Sequence, residues 1–371
     1  MKKQPRHQEI SNELLTEILA GKHDSARRLP SEAQLVKRFN VSRPTVARAL
    51  LDLKIKGILD RKAGSGTYLC KDRGAKPSGV RQLGMIVPGL GKIEIFDVIC
   101  GELASLARVN DLGMHWGGST RPQTGASMSI DEAEELCLRY IENGVSGVFF
   151  APFEHSPDNE VANRRITERL SNAGIPVVLL DRDIRPFPHR SNFDLVGIDN
   201  FAGGYLLAEH LIKLGARRLA FVARPFSATT AEARKAGAIA AMLAHGIRIP
   251  EKFLFAGDPG DMKFARHLSA GNTHDAIICV NDHTAAQLLQ ALTRLEIKTP
   301  QNLRVVGFDD VRFATLLSVP LTTIQQPCRD IALTAFNAMR ERIASPTIPP
   351  RSLLLTPSLI IRESCGAYLA R

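Results

Sequence analysis

The sequence predicts an α/β protein in two parts: a small, mainly helical head and a long doubly wound body on parallel strands. Three observations carry that prediction. Positive charge is concentrated at the N-terminus, and apolar residues repeat at helical spacing as far as Leu53. From Leu83 onward, short apolar runs alternate with amphipathic stretches. Of 371 residues, 48 are Lys or Arg and 38 are Asp or Glu, a net charge of +10. Residues 1–73 hold 16 basic and 8 acidic side chains, so 16 − 8 = +8 of that charge falls on the head. A basic head on a nearly neutral body suits a polyanion contacted by the head alone. A chain 44% hydrophobic and 23% charged has the composition of an ordinary soluble protein. It has no apolar run long enough to span a membrane, and its N-terminus, MKKQPRHQEI, has no apolar signal-peptide core. A cytoplasmic protein without a membrane partner is expected. The six cysteines are far apart and form no C-x-x-C pair, so buried thiols are expected rather than disulfides or a metal site.

In the head, Ile10, Leu14 and Ile18 mark an amphipathic helix ending near Gly21. Pro30 and Ser31 open a second helix, and Gln34 stands three residues after Ser31, the spacing of a capping box. Leu35, Val36 and Phe39 recur at helical spacing, and Asn40 makes the turn. Ser42 caps a third helix that tolerates Pro44 in its first turn. Val46, Leu50 and Leu53 give this helix an apolar stripe, while Arg43, Thr45 and Arg48 fall off the stripe toward solvent. An apolar-backed helix with Arg and Thr near its N-terminus is suited to reading a major groove. Gly57 stops it. Ile58 and Leu59, then Thr67 to Leu69, flank a basic, glycine-rich segment from Arg61 to Gly66, the pattern of a hairpin wing. Gly64 and Gly66 let the backbone approach a groove or phosphate, and Arg61 and Lys62 supply charge. The rival interpretation of Ala63-Gly64-Ser65-Gly66-Thr67, a nucleotide-phosphate loop, lacks the Lys-Ser/Thr and following helix of a P-loop.

Residues 71–82 are polar and carry Gly, Pro and Ser but no apolar stripe, which predicts a linker. Strands are predicted at 83–88, 112–117, 145–151, 175–181, 195–199, 218–223, 275–282 and 303–310. Several are apolar at consecutive positions, as parallel strands covered on both faces are. Helices at 131–143, 164–173, 203–214 and 284–295 lie between them. Ligands of such sheets bind beyond the carboxyl ends of the strands. Asp181, Asp199 and Asn200, Asn281 and Asp282, and Asp309 and Asp310 all fall there. Carboxylates and amides so placed suit the adjacent hydroxyls of a sugar, or else cap the next helix. Arg234, near the start of a helix, can fork onto two oxygens. Phe96, after the first strand, can wall the C–H face of a sugar. His115 and Trp116 lie in a predicted strand and are expected to pack in the core, with stacking on a ligand as the alternative.

Catalysis is not expected. Asp309 and Asp310 are adjacent, and neighbours in a strand point to opposite faces, which does not suit a glycosidase pair. No G-x-S-x-G, H-E-x-x-H or P-loop is present, and the histidines show no metal-ligand spacing. No cofactor or metal is expected.

The stretch LPSEAQLVKRFNVSRPTVARALLDL followed by GILDRKAGSGTYL resembles the winged helix-turn-helix head of GntR-type bacterial regulators. The resemblance covers residues 1–70 and implies DNA contacts from Ser42, Arg43, Pro44 and Thr45, and from the wing, Gly64 to Thr67. With Ser31, Arg48, Lys62, Ser65 and Gly66, these are the DNA-binding candidates. Ala47 and Ala33 stand where many relatives carry Arg, so the operator is not transferable from them.

The body, 83–364, resembles the effector domain of LacI-type repressors and periplasmic sugar-binding proteins. The segments that carry this likeness are VGIDNFAGGYLLAEHLIKLGARRLAFVA, EARKAG, DAIICVNDHTA, VVGFDD, PLTTIQQP and LIIRES. The resemblance implies effector contacts at Phe96, Asp181, Asp199, Arg234, Asn281, Asp309 and Gln326. It also implies two lobes: 83–198 with 327–353, and 199–324 with 354–364. The LacI head and hinge helix are absent, so the architecture resembles hybrids of the arabinose-repressor kind. That architecture implies a sequence-specific DNA-binding regulator, a repressor of sugar-utilisation genes. It would bind a palindromic operator in double-stranded DNA as a homodimer and leave it when a sugar fills the cleft. The alternative is the same regulator with a nucleobase or phosphorylated metabolite as effector. A transporter's solute receptor does not fit the basic head.

Overall fold

The computed structural model describes residues 6–19, 22, 29–55, 59–62, 66–69, 81–90, 93–117, 128–154 and 156–369. Two units divide the chain, residues 1–79 and residues 80–371.

The first unit contains α1 (Arg6–Leu19), α2 (Glu32–Phe39) and α3 (Arg43–Ile55), then a hairpin of β1 (Leu59–Lys62) and β2 (Gly66–Leu69). The predicted stripes meet in one core, where Ile10, Leu14 and Ile18 pack with Leu35, Val46, Leu50, Leu53 and Leu59. Ser31 caps α2 in a reciprocal box: the Gln34 N–H donates to its hydroxyl at 3.3 Å, and its own N–H donates to the Gln34 side chain at 2.8 Å. Asn40 takes the left-handed turn at φ 49°. Arg38 ties α2 to α1 through Glu17 at 2.6 Å and Glu13 at 3.2 Å. The hairpin is antiparallel, from Leu59 opposite Leu69 to Lys62 opposite Gly66. Its tip, with Gly64 and Ser65, lies outside the described residues, as do Gly21, the Gly57 helix stop and most of the 71–82 linker.

The second unit opens with β3 (Gln82–Ile86), which begins on the last residue expected in the linker, then α4 (Glu94–Val109), β4 (Gly113–Trp116), α5 (Ile130–Asn143), β5 (Gly147–Phe150), α6 (Pro157–Asn172), β6 (Val177–Leu180) and β7 (Asp194–Ile198). It continues with α7 (Asn200–Lys213), β8 (Leu219–Ala223), α8 (Thr230–Ala244), β9 (Leu254–Ala256), α9 (Met262–Ser269), β10 (Ala276–Cys279), α10 (Asp282–Arg294) and β11 (Arg304–Val306). Last come β12 (Thr323–Gln325), α11 (Cys328–Ala344), β13 (Ser352–Leu355) and β14 (Ser358–Ile360).

These strands form two parallel sheets. The first has six strands in the order β13-β7-β6-β5-β3-β4, and the second has four in the order β11-β10-β8-β9. The chain leaves the first sheet after β7, returns through α11 and β13, and leaves again into β14. Antiparallel pairing of β12 with β14 makes a short ribbon at these crossings. Strands β5, β6 and β7 are buried at every residue, which accounts for the apolar runs of β5 and β6; β7 opens on a buried Asp194 paired with Arg342 at 2.9 Å. Beneath them, Phe149, Leu180 and Val196 pack with Ile99 and Leu103 of α4 and with Phe336 and Met339 of α11. The core expectation for His115 and Trp116 is corrected: β4 is an edge strand, and both side chains are exposed.

Candidate functional site

On the head, Ser42, Arg43, Pro44 and Arg48 are exposed along the start of α3, and Thr45 is half-buried. The Ser42 and Thr45 hydroxyls are hydrogen-bonded at 2.8 Å. Arg43 Nε stands 3.3 Å from Glu32, yet its side chain remains 80% exposed. Such an exposed pair contributes little, so a base or phosphate can displace the carboxylate readily. Ser31 is exposed, with its hydroxyl engaged by Gln34. Backbone pairing sets Lys62 and Gly66 opposite each other at the end of the hairpin, next to its tip.

In the body, the strand-end residues of the two sheets converge. Asp181 follows β6 in a left-handed conformation at φ 67°. One carboxylate oxygen, Oδ2, accepts from Arg182 Nε at 3.1 Å. The other, Oδ1, is buried without a hydrogen-bond partner among the described residues. A buried carboxylate oxygen left unpaired is costly, and a donor supplied from outside would relieve that cost. Arg182 is buried, lies 3.7 Å from Glu154, and has its guanidinium 5.5 Å from the centre of the Phe96 ring.

From the other side comes Arg234 on α8. Its guanidinium lies 3.6 Å from the centre of the Phe308 ring. Nε donates to the Asn200 side chain at 2.9 Å, one terminal nitrogen donates to the Val280 carbonyl at 2.6 Å, and the other stands 3.6 Å from Asp309 Oδ1. The Gln326 amide donates to that same oxygen at 2.7 Å. Burial pushes the Asp309 carboxyl up to about 6, against the pull of Arg234 and of the Gln326 hydrogen bond. Asp181 adds to that push and Arg182 to the pull, so the charged pairs at the two sheets feel each other. Burial also pulls Arg234 down, while Asp309 and Asp181 hold it up.

Arg234 is placed by a helix contact. A Cβ at Gly204 of α7 would lie 1.9 Å from the Arg234 carbonyl oxygen, and one at Gly237 of α8 would lie 2.0 Å from that of Phe201. Only glycine at both positions lets the helices touch backbone to backbone and brings Arg234 to Asn200.

The remaining candidates are placed differently. Asp199 and Asn281 cap α7 and α10, accepting from the Ala202 and Thr284 N–H groups at 2.9 Å each. Capping is therefore their first role. Phe96 lies in the first turn of α4, and its ring is buried with the Arg182 guanidinium beside it. Arg182 was missed, although its place directly after a strand-end Asp was a usable signal. Asn200 and Asp282, noted as strand-end residues, do buried work: Asn200 orients Arg234, and Asp282 accepts from the Thr323 hydroxyl at 2.6 Å and the Val311 N–H at 3.0 Å. Two carboxylates and two guanidiniums thus lie close enough to act on one another's charge, and groups of this kind can both donate hydrogen bonds to a ligand and accept them. No helix among the described residues is long and apolar enough to cross a membrane.

Comparison with known proteins agrees with this division. Residues 6–69 match the gntR family of bacterial regulatory proteins, and residues 208–365 match the periplasmic binding protein-like domain. The chain joins a GntR-type helix-turn-helix domain to a LacI-like, periplasmic-binding-protein-like domain. Among individual proteins it is similar to the arabinose metabolism transcriptional repressor of Geobacillus stearothermophilus, with 24% identity over 97% of each chain. The ribose operon repressor of Escherichia coli is 32% identical over 57% of this chain and 62% of its own length. A solved complex of the transcriptional regulator CelR with cellobiose shares the fold, with a TM-score of 0.65, 21% identity, and coverage of 87% of this chain and 91% of that one.

Proposed function

We propose that the chain is a sugar-responsive transcriptional repressor. The observation that carries this reading is the cluster of Asp181 with Arg182 and Asp309 with Arg234, in which one buried carboxylate oxygen has no hydrogen-bond partner among the described residues. Vicinal hydroxyls suit such a site, because each can donate to a carboxylate and accept from a guanidinium. The similarity to arabinose and ribose repressors supports the same ligand class. An anionic effector fits less well, since both guanidiniums already face carboxylates.

The repressor works as a cytoplasmic homodimer on a palindromic operator, each α3 entering a major groove with the wing beside it. Half-sites repeat at fixed helical spacing, so moving one lobe against the other disturbs both heads together. Sugar in the cleft releases the operator. Phe96, Asp181, Arg182, Arg234, Asp309 and Gln326 form the pocket, with Asp199 and Asn281 at its edge.

A thermal-shift panel of pentoses, hexoses, disaccharides, sugar phosphates and purines on the full chain tests the effector class. Stabilisation by a neutral sugar, abolished in Asp309→Ala, is the expected result. Stabilisation by a purine or a sugar phosphate alone would overturn the sugar assignment.

A further inference from the structure

The turn after β11 is held from four directions. Asp309 and Asp310 both adopt left-handed backbone angles, φ 111° and 52°. Such angles persist at residues other than glycine only where the surroundings over-determine them. Gln326 donates to Asp309 at 2.7 Å. The Asp310 carboxylate accepts from Gln325 of β12 at 2.8 Å and from Arg362, just past β14, at 2.6 Å. The Val311 N–H donates to Asp282 at the start of α10 at 3.0 Å. These three anchors come from the four-stranded side of the body or from the crossings. The fourth does not. The Arg312 N–H donates to both carboxylate oxygens of Glu94, at 3.1 and 3.2 Å, and the Arg312 Nε stands 3.3 Å from the same carboxylate. Glu94 is the first residue of α4, which packs under the six-stranded sheet.

We propose that Glu94 is a cross-lobe positioning residue: it clasps the Asp309–Arg312 turn, holds the cleft closed before any effector binds, and fixes Asp309 for ligand. The last part rests on Asp309 being an effector residue; the clasp itself does not. Glu94 reaches the turn mainly through the main-chain N–H of Arg312, which remains whatever side chain occupies that position. Removing the carboxylate therefore loosens the clasp more than truncating Arg312. A neutral Gln keeps an acceptor for the N–H but loses the charge, and salt weakens the half-exposed ion pair in the same way.

The test is the distance distribution between spin labels at Asp158→Cys and Leu316→Cys, exposed positions on the two lobes. It is measured on the ligand-free full chain, with the labelled parent giving the background of its native cysteines. Glu94→Ala is expected to populate longer distances, Glu94→Gln fewer of them, and Arg312→Ala fewer still. In 0.5 M NaCl the unsubstituted chain moves toward the Glu94→Gln distribution. An unchanged distribution in Glu94→Ala overturns the clasp; if the alanine variant fails to fold, an unchanged distribution in Glu94→Gln overturns it instead. Calorimetry with L-arabinose and D-ribose tests the link to ligand, with about a fivefold loss of affinity expected in Glu94→Ala. A longer spacing with no sugar bound by the parent leaves the clasp standing and removes the sugar reading. A sugar bound equally by parent and variant, with equal spacing, removes the clasp.

Discussion

Gly237→Ala should destabilise the body although alanine is the better helix former. The new Cβ would sit 2.0 Å from the Phe201 carbonyl oxygen and 2.9 Å from the Tyr205 nitrogen, both main-chain atoms that cannot rotate away. Ordinary contact begins near 3.4 Å, so α8 must retreat from α7 by about 1.4 Å (3.4 − 2.0). Replacing an interior helical Gly by Ala contributes about 1 kcal/mol. Overpacking costs about 1–3 kcal/mol, and the upper end applies because the obstacle is backbone. The net loss is about 2 kcal/mol, a fall in melting temperature of roughly 5 °C for a unit of this size. The same retreat draws Arg234 away from Asn200, now 2.9 Å distant, and weakens effector binding. Thermal unfolding by circular dichroism, with sugar titration alongside, reads both effects. A melting temperature equal to or above that of the parent would refute the backbone-to-backbone argument.

Three further outcomes are expected. Arg43→Ala should lower specific operator affinity by about 1–3 kcal/mol while sugar binding stays intact; a gel shift that keeps parental affinity would show that α3 is not the reader. Sugar affinity should fall as pH drops through about 6, where Asp309 takes up a proton and loses its negative charge; calorimetry on Asp309→Asn should give weak binding with no such pH dependence. Asp282 is pushed up to about 8, chiefly by burial, whereas an unfolded Asp titrates near ~3.9. The folded state therefore binds that proton more tightly, and its contribution to stability is full in acid and is lost as pH rises from about 4 through 8. Asp282→Asn should gain denaturant resistance relative to the parent between pH 5 and pH 8.5, and an unchanged difference across that range would count against the assignment.

Much of this protein was legible in its residues because local rules and tertiary demands agree. Ser31 and Gln34 make a capping box in any chain that starts a helix there, and Asn40 accepts a left-handed turn at little cost. The eight predicted strands all appear, and the clearest of them, β5 and β6, are apolar along their length because both faces are covered. The elements less visible in the sequence are short or half-exposed: β9, β12 and β14 have three residues each, and β13 alternates exposed and half-buried positions.

The sequence alone determined the eight main strands, the helices named with them, the basic helix α3 and the polar strand ends, since these follow from side-chain periodicity and from the charge along the chain. Tertiary structure decided which strand-end residues meet. Asp199 and Asn281 were drawn off to cap helices, whereas Arg182, Asn200 and Glu94 acquired partners far away in the chain. The glycine contact between α7 and α8 brings Arg234 to Asn200, and the crossings bring Gln326 to Asp309. No local pattern encodes such meetings, because each depends on the distance between elements that only packing sets.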